Sequence, residues 1–288
     1  MGARIVLVTA TELPVPDVEL PVLRAAAARA GLEADVAAWD DPTVAWDRYD
    51  AALIRSTWNY FDQVERFQDW TDVVSGVTRL VNSAATIRWN SVKTYLADLL
   101  AAGVPTVPTT YLAPGEPIVL SDDDDFVVKP TVGGGARGAR RFRAFDAHEA
   151  PEHVSALHAQ GLTAMVQPYQ SRVDHDGERA VVYFGGEFSH AIVKGPVLSA
   201  ATGVRGADAH PNPEPYQPSD AEHAVARAAL AAAPETPLYG RLDLVLDDAG
   251  QPLVMEAELI EPHLFLEFAP GADDRLISAL KRLPGGGW

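Results

Sequence analysis

The chain has no cysteine among its 288 residues. That excludes a disulfide framework, a thiolate nucleophile and thiolate metal ligation. It also lacks positive charge: 23 lysines and arginines face 40 acids, for a formal net charge of −17. A duplex nucleic acid would be repelled by that field, so nucleic-acid binding is not expected. No apolar run is long enough to span a bilayer. No N-terminal stretch joins basic, apolar and cleavage regions, so no signal peptide is expected. These absences predict a cytoplasmic protein without a membrane partner. Hydrophobic residues make up 47% of the chain, enough for a substantial core in one large domain or two to three lobes.

The first third alternates strand and helix signals. Arg4 to Thr9 reads as a buried strand, Val18 to Ala30 as a helix closed by Gly31, and Glu33 to Ala38 as a second strand. Asp50 to Arg55 reads as a third strand and Asp62 to Ser75 as a helix. Such alternation predicts a small parallel sheet. Ligands of open parallel sheets sit beyond the carboxyl ends of the strands. The turn holding Ser56, Thr57 and Trp58 is therefore a candidate substrate loop, and equally a loop around a packed Trp. Thr86 to Gly103 reads as one helix carrying Lys93. Further on, Glu178 to Phe184 with Glu187 to Lys194, and Tyr239 to Leu246 with Gln251 to Leu259, read as two antiparallel hairpins. Between them, Pro196 to Pro218 reads as a long surface loop and Asp220 to Ala233 as a helix.

The most informative stretch is Phe126-Val127-Val128-Lys129-Pro130, followed by Gly133, Gly134 and Gly135. Backbone without side chains approaches a polyphosphate closely, and its N–H groups cradle the oxygens. A strand-end lysine adds a point charge that suits phosphate. No Gly-Lys-Ser/Thr closes the loop, so it is not a P-loop. Ala139 to Arg143 reads as a return strand, so the loop caps a hairpin, and a plain hairpin tip is the bland alternative.

A second constellation is acidic. Asp243 lies on one strand of the last hairpin, Glu256 and Glu258 on the other. Alternation points Glu256 and Glu258 to one face, which Asp243 joins across the ladder, while Leu244 and Val254 carry the core face. Three converging carboxylates are costly unless a cation neutralises them. Oxygen-only ligation favours Mg²⁺ or Mn²⁺, which bridge carboxylates to phosphates. A solvated acidic face is the alternative.

As an ordered set, Lys93, the Val-Val-Lys-Pro strand, the three glycines, Gln167-Pro168-Tyr169 and Val254-Met255-Glu256-Ala257-Glu258 resemble the ATP-grasp superfamily, in its glutathione-synthetase-like and RimK-like branch. The resemblance implies an α/β plus α+β fold: an N-terminal parallel α/β lobe over 1–85, a small lobe with the glycine-rich loop over 86–165, and a C-terminal lobe with the metal hairpin over 166–288. More narrowly, Ile54 to Tyr60, Phe188 to Ala191 and Glu258-Leu259-Ile260-Glu261-Pro262 resemble a subgroup that includes the O-ureido-D-serine cyclo-ligase of cycloserine biosynthesis.

The resemblance implies roles. Lys93 and Lys129 would contact the α- and β-phosphates of ATP, and Gly133, Gly134 and Gly135 would fold over its outer phosphates. Gln167 and Tyr169 would read the adenine. Glu178 would hold the ribose, with Asp174 and Asp176 as rivals. Asp243, Glu256 and Glu258 would bind two Mg²⁺ (or Mn²⁺), although the family commonly has Asn in place of Glu258. Lys194, Arg205 and Arg241 are candidate catalytic cations, and Arg241 could instead pair with a neighbouring acid. Relatives often carry an Arg where this chain has Ala180, and alternation points the adjacent Arg179 away. A small amino-acid-like carboxylate with an amine or ureido group is the implied substrate, and a homodimer the implied state. The activity implied is C–N ligation through a phosphorylated carboxylate, within one molecule or between two. A phosphorylating enzyme without condensation and a non-catalytic ATP-binding module stay open.

Overall fold

The computed structural model describes residues 2–120, 124–198 and 212–284. Its first sheet is parallel, in the order β2 (Glu33–Ala38), β1 (Arg4–Thr9), β3 (Ala51–Ser56), β4 (Arg79–Val81). Ile5 to Val8 and all of β3 are buried, because helices and a later segment cover both faces. Helices α1 (Glu19–Arg29) and α2 (Val64–Ser75) lie within this lobe.

A second, antiparallel sheet has the order β5 (Thr110–Leu112), β8 (Ala164–Pro168), β6 (Phe126–Pro130), β7 (Arg140–Phe142). The expected return strand after the glycine-rich loop is β7. The segment expected as one helix is two, α3 (Ala84–Asn90) and α4 (Tyr95–Ala101). Lys93 sits in the break, where its N–H donates to the Thr131 carbonyl at 2.7 Å instead of to the preceding turn. Helix α5 (Ala150–His158) closes this lobe's core over Phe126, Val128 and Phe142.

The third sheet is antiparallel, in the order β11 (Glu214–Tyr216), β10 (Glu187–Lys194), β9 (Glu178–Phe184), β12 (Tyr239–Leu246), β13 (Pro252–Glu258). Both expected hairpins are present. A short helical turn, α6 (Val173–Asp176), precedes β9. Helix α7 (Asp220–Ala231) begins with a capping box between Ser219 and Glu222.

The expected boundaries after residues 85 and 165 each fall inside an element, α3 and β8. The C-terminal helix α8 (Ala272–Lys281) also returns to the first lobe, where Leu276, Ile277 and Leu280 share a core with Ile5, Leu7 and Leu23. Each such buried side chain contributes roughly 1.5–3 kcal/mol, so the chain's end helps hold its beginning.

Candidate active site

The second and third sheets face each other across an open cleft. Lys93, Lys129, Gly133, Gly134, Gly135, Gln167, Tyr169, Glu178, Lys194, Arg241, Asp243, Glu256 and Glu258 all line it. Three of the chain's four lysines are in that set. In a protein this acidic, that concentration lets three lysines and Arg241 balance the four carboxylates of the set, Glu178, Asp243, Glu256 and Glu258.

The charges pair in a chain. Lys93 Nζ lies 2.9 Å from Glu256 Oε1 and also donates to the Gly133 carbonyl. Lys194 donates to Asp243 Oδ2 at 3.2 Å and pairs with Glu178. Arg241 donates to both oxygens of Asp243, at 2.8 and 2.9 Å, to Glu258, and to the His263 carbonyl at 2.8 Å. Of the two readings open for Arg241, the structure shows pairing with neighbouring acids. Lys129 has no ion pair within 4 Å among the described residues, and burial lowers its pKa.

Burial pushes Glu178 up to about 7 against the pull of Lys194. Burial also pushes Glu258 up to about 7, with Arg241 opposing and Asp243 adding. Burial alone would raise Asp243, but Arg241 and Lys194 outweigh it and hold that carboxyl below the ordinary range. Glu256 is lowered in the same way, by Lys93 and Lys129 acting against burial.

A β-bulge shapes the acidic hairpin. Asp243 is opposite Glu256 and Leu244 is opposite Val254, so Met255 is the extra residue. Strict alternation would have put Val254 on the face of Glu256. The bulge lets Val254 point into the core while Glu256 faces the cleft. Across the next ladder Ala180 is opposite Asp243, and Arg179 turns away to pair with Glu222 at 3.3 Å.

The three acids suit a hard divalent cation by donor type. They are not gathered about one point: among the described residues the only triad with ligand atoms all within 4.8 Å is Glu19, His263 and Glu267. That Glu19 is already engaged by Arg55 and by the N–H groups of Leu264 and Leu266. Asp243, Glu256 and Glu258 instead stand along the cleft with cations between them. That spread fits ions shared with a polyphosphate better than one closed protein cage.

At the other end of the cleft, Gln167 donates to Thr109 Oγ1 at 2.9 Å. The Tyr169 hydroxyl donates to Asp174 at 2.6 Å, and the Arg141 guanidinium stacks 3.4 Å over the Tyr169 ring. Asp174 and Asp176, the rivals of Glu178, do not line the cleft. His190 is satisfied locally by Ser189 and by the Leu264 carbonyl. Arg205 and residues 199–211 of the expected long loop lie outside the described residues.

Ser56, Thr57 and Trp58 do not line this cleft. They abut the segment that follows Glu258: Trp58 Nε1 donates to the Glu261 carbonyl at 3.1 Å, and Ser56 is buried against Thr9. Sequence reasoning missed the contact between this loop and the glycine-rich loop. Arg137 pairs with Asp62 at 2.8 Å, and a Cβ at Gly134 would sit 2.8 Å from Phe61 Cζ. Neither contact has a sequence signal, since the partners are more than seventy residues apart.

Residues 5–82 match the family described as D-cycloserine synthetase DcsG, N-terminal domain. Over 298 aligned residues the chain is 38% identical to the cycloserine biosynthesis protein DcsG of Streptomyces lavendulae, covering 97% of this chain and 98% of that one. The chain belongs to the DcsG family. The crystal structure of D-cycloserine synthetase DcsG superposes with a TM-score of 0.87 at 36% identity, over 96% of this chain and 98% of that one. D-alanine–D-alanine ligase from Bacillus anthracis, in complex with ATP, shares the fold at a TM-score of 0.66 and 15% identity, over 96% of each chain. The RimK domain ATP-grasp protein of Sphaerobacter thermophilus does so at 0.66 and 20%, over 96% of this chain and 98% of that one. The fold is therefore ATP-grasp, as the resemblance implied, and the chain is an ATP-grasp ligase of the C–N bond-forming kind. Among the described residues, no helix is long and apolar enough to cross a membrane.

Proposed function

We propose that this chain phosphorylates the carboxylate of O-ureido-D-serine from ATP and closes a C–N bond within that molecule. Ring closure releases phosphate as the hydroxylamine-type nitrogen attacks the acyl phosphate, and the urea's N–C bond is then cleaved by water, so the products are D-cycloserine, carbon dioxide, ammonia, ADP and phosphate. The observation that carries the reaction class is the meeting of Lys93, Lys129 and Lys194 with Asp243, Glu256 and Glu258 in one cleft. The full-length identity with DcsG supports the substrate.

A carboxylate resists nucleophilic attack because its charge repels the nucleophile. Phosphorylation removes that charge and supplies a leaving group. The protein's contribution is positioning and charge neutralisation, and no covalent enzyme intermediate is needed. Lys93 and Lys129 serve as point charges for the inner phosphates, with Lys129 available because no acid holds it. Gly133, Gly134 and Gly135 present backbone N–H groups to the outer phosphates. Gln167 and Tyr169 border the adenine, and Glu178 the ribose. Lys194, Arg241 and Arg205 offset charge on the transferring group. Asp243, Glu256 and Glu258 would hold Mg²⁺ (or Mn²⁺), which would neutralise phosphate charge. Ser56, Thr57 and Trp58 lie outside the cleft and act from behind it, with Trp58 holding the segment that follows Glu258. The reaction suits a cytoplasmic enzyme, and a homodimer is its proposed state.

The test is ADP release with Mg-ATP across O-ureido-D-serine, simple amino acids and dipeptides, with mass spectrometry of the products and Glu256→Gln as control. Turnover with the ureido acid alone, giving a cyclic product and lost in the control, is expected. Condensed products from two molecules would replace this reading with intermolecular ligation, and tight ATP binding without any turnover would replace it with a binding module.

A further inference from the structure

The strand that carries Glu256 and Glu258, β13, is the last of its sheet, with β12 on one side and no strand on the other. Such an edge leaves backbone N–H and C=O groups without a ladder partner. Here they are met from the second lobe. The Val254 N–H donates to the Pro105 carbonyl at 2.9 Å, and the Val107 N–H donates to the Val254 carbonyl at 3.0 Å. Beyond the bulge at Met255 the partners are side chains. The Ala257 N–H donates to the Tyr95 hydroxyl at 2.9 Å. Asn90 Nδ2 donates to the Ala257 carbonyl at 2.8 Å, and Asn90 Oδ1 accepts from the Leu259 N–H at 2.9 Å. Asn90 and Tyr95 are both buried. One amide that meets the carbonyl before a residue and the N–H after it replaces a residue of a neighbouring parallel strand. The residue bracketed in this way is Glu258.

Asn90, Lys93 and Tyr95 belong to one segment: the end of α3, the break after it and the start of α4. In a continuous helix Asn90 and Lys93 would share a face, and Tyr95 would lie about 140° round from Asn90. The break brings all three to β13. Lys93 meets the Glu256 carboxylate at 2.9 Å while Asn90 and Tyr95 hold the backbone on its C-terminal side. The bulge makes that second grip necessary. It puts two residues of β13 opposite one of β12, so the ladder with β12 alone fixes the acids weakly, and a slip of one residue would turn both carboxylates away from the cleft. Held at Val254 on one side and at Ala257 and Leu259 on the other, the extra residue is confined to Met255.

We propose that Asn90 and Tyr95 are positioning residues for the metal-binding carboxylates. Neither lines the cleft, so they act through the backbone of β13 and touch no ligand. They set the register in which Glu256 faces Lys93 and Glu258 faces Arg241. The break between α3 and α4 then has two tasks: it supplies the lysine that answers Glu256, and it supplies the amide and hydroxyl that hold the strand in place. The inference rests on the reading of Asp243, Glu256 and Glu258 as Mg²⁺ ligands, and it names what aims two of them.

The experiment is calorimetric titration of the full chain with a non-hydrolysable ATP analogue, in saturating Mg²⁺ and again in excess chelator. The readout is the ratio of the two affinities, which is the gain that Mg²⁺ confers. Glu256→Gln, which removes a carboxylate itself, sets the full loss. Tyr95→Phe and Asn90→Ala are each expected to cut the gain by about tenfold, the scale on which groups that orient metal ligands act, and to leave the affinity without Mg²⁺ unchanged. Tyr239→Phe removes a buried hydroxyl from the Ile260 carbonyl and is expected to keep the whole gain, which separates aiming from plain loss of stability. Melting temperature checks that the variants fold. Tyr95→Phe deletes a single oxygen, so it decides the question if Asn90→Ala does not fold. An unchanged gain in Tyr95→Phe, equal losses with and without Mg²⁺, or a matching loss in Tyr239→Phe would overturn the inference and leave the metal reading standing. A wild-type protein without any gain, or a gain that survives Glu256→Gln, would overturn the metal reading and this inference with it.

Discussion

Arg241 grips Asp243 with two parallel hydrogen bonds, Nε to Oδ1 at 2.8 Å and Nη2 to Oδ2 at 2.9 Å, and both side chains are almost wholly buried. Lys194 approaches the same carboxylate from β10 at 3.2 Å. The pair is therefore both a structural element and part of the cleft wall. Removing one partner of a buried ion pair costs roughly 3–5 kcal/mol, because the other is left charged and dry. Arg241→Met is expected to lower the melting temperature and abolish ADP release. Arg241→Met with Asp243→Asn is expected to recover much of the stability and none of the activity. Thermal unfolding of the single and double variants, with a parallel turnover assay, checks both parts.

The glycine-rich loop is fitted to the first lobe through Gly134 and Phe61. A methyl at Gly134 would meet the Phe61 ring at 2.8 Å, closer than real Cβ contacts come. Gly134→Ala is expected to lower kcat/KM by about tenfold or more, a barrier change of about 1.4 kcal/mol. Adding Phe61→Leu should return part of the loss by making room. A loss that Phe61→Leu leaves untouched would place the defect in the loop's own backbone.

The carboxyls of the cleft give the nucleotide-free protein a defined pH profile. Glu178 and Glu258, at about 7, and Glu261, at about 8, lie well above the ordinary value of 4.5. Between those values the folded state keeps protons that the unfolded state has lost, so stability falls as pH rises from about 5 to 8. Asp243 and Glu256 are shifted downward, so their contribution is lost as pH falls below about 4. Melting temperature is expected to be highest near pH 5. Glu261→Gln should flatten the alkaline side, as differential scanning fluorimetry across this range would show.

The segment over residues 259–264 predicts destabilisation from a residue that does not line the cleft. Tyr239→Phe leaves the buried carbonyl of Ile260 without its donor, at a cost of about 1–3 kcal/mol. Denaturant unfolding should show that loss, with the affinity for nucleotide unchanged.

How far the sequence could be read follows from how local each signal is. β9, β10 and the glycine-rich loop were legible because alternation, Gly pairs and a strand-end lysine lie within a few residues of one another. The break that places Lys93 was not, because nothing in Ala84 to Ala101 forbids a continuous helix. The bond from Lys93 N–H to Thr131, a contact thirty-eight residues away in sequence, overrides local propensity there. The acidic hairpin was half legible. Alternation correctly put Glu256 and Glu258 on one face, but only the bulge at Met255 explains how Val254 reaches the other.

The central claim is that a substrate carboxylate receives the phosphoryl group of ATP. The most direct measurement uses O-ureido-D-serine with its carboxylate labelled with heavy oxygen, turned over by the wild-type protein with Mg-ATP, and mass analysis of the released phosphate. Phosphate carrying one heavy oxygen from the substrate is the predicted result, since the bridging oxygen leaves with phosphorus when nitrogen attacks. Unlabelled phosphate, released in step with ADP and a cyclic product, would contradict the account.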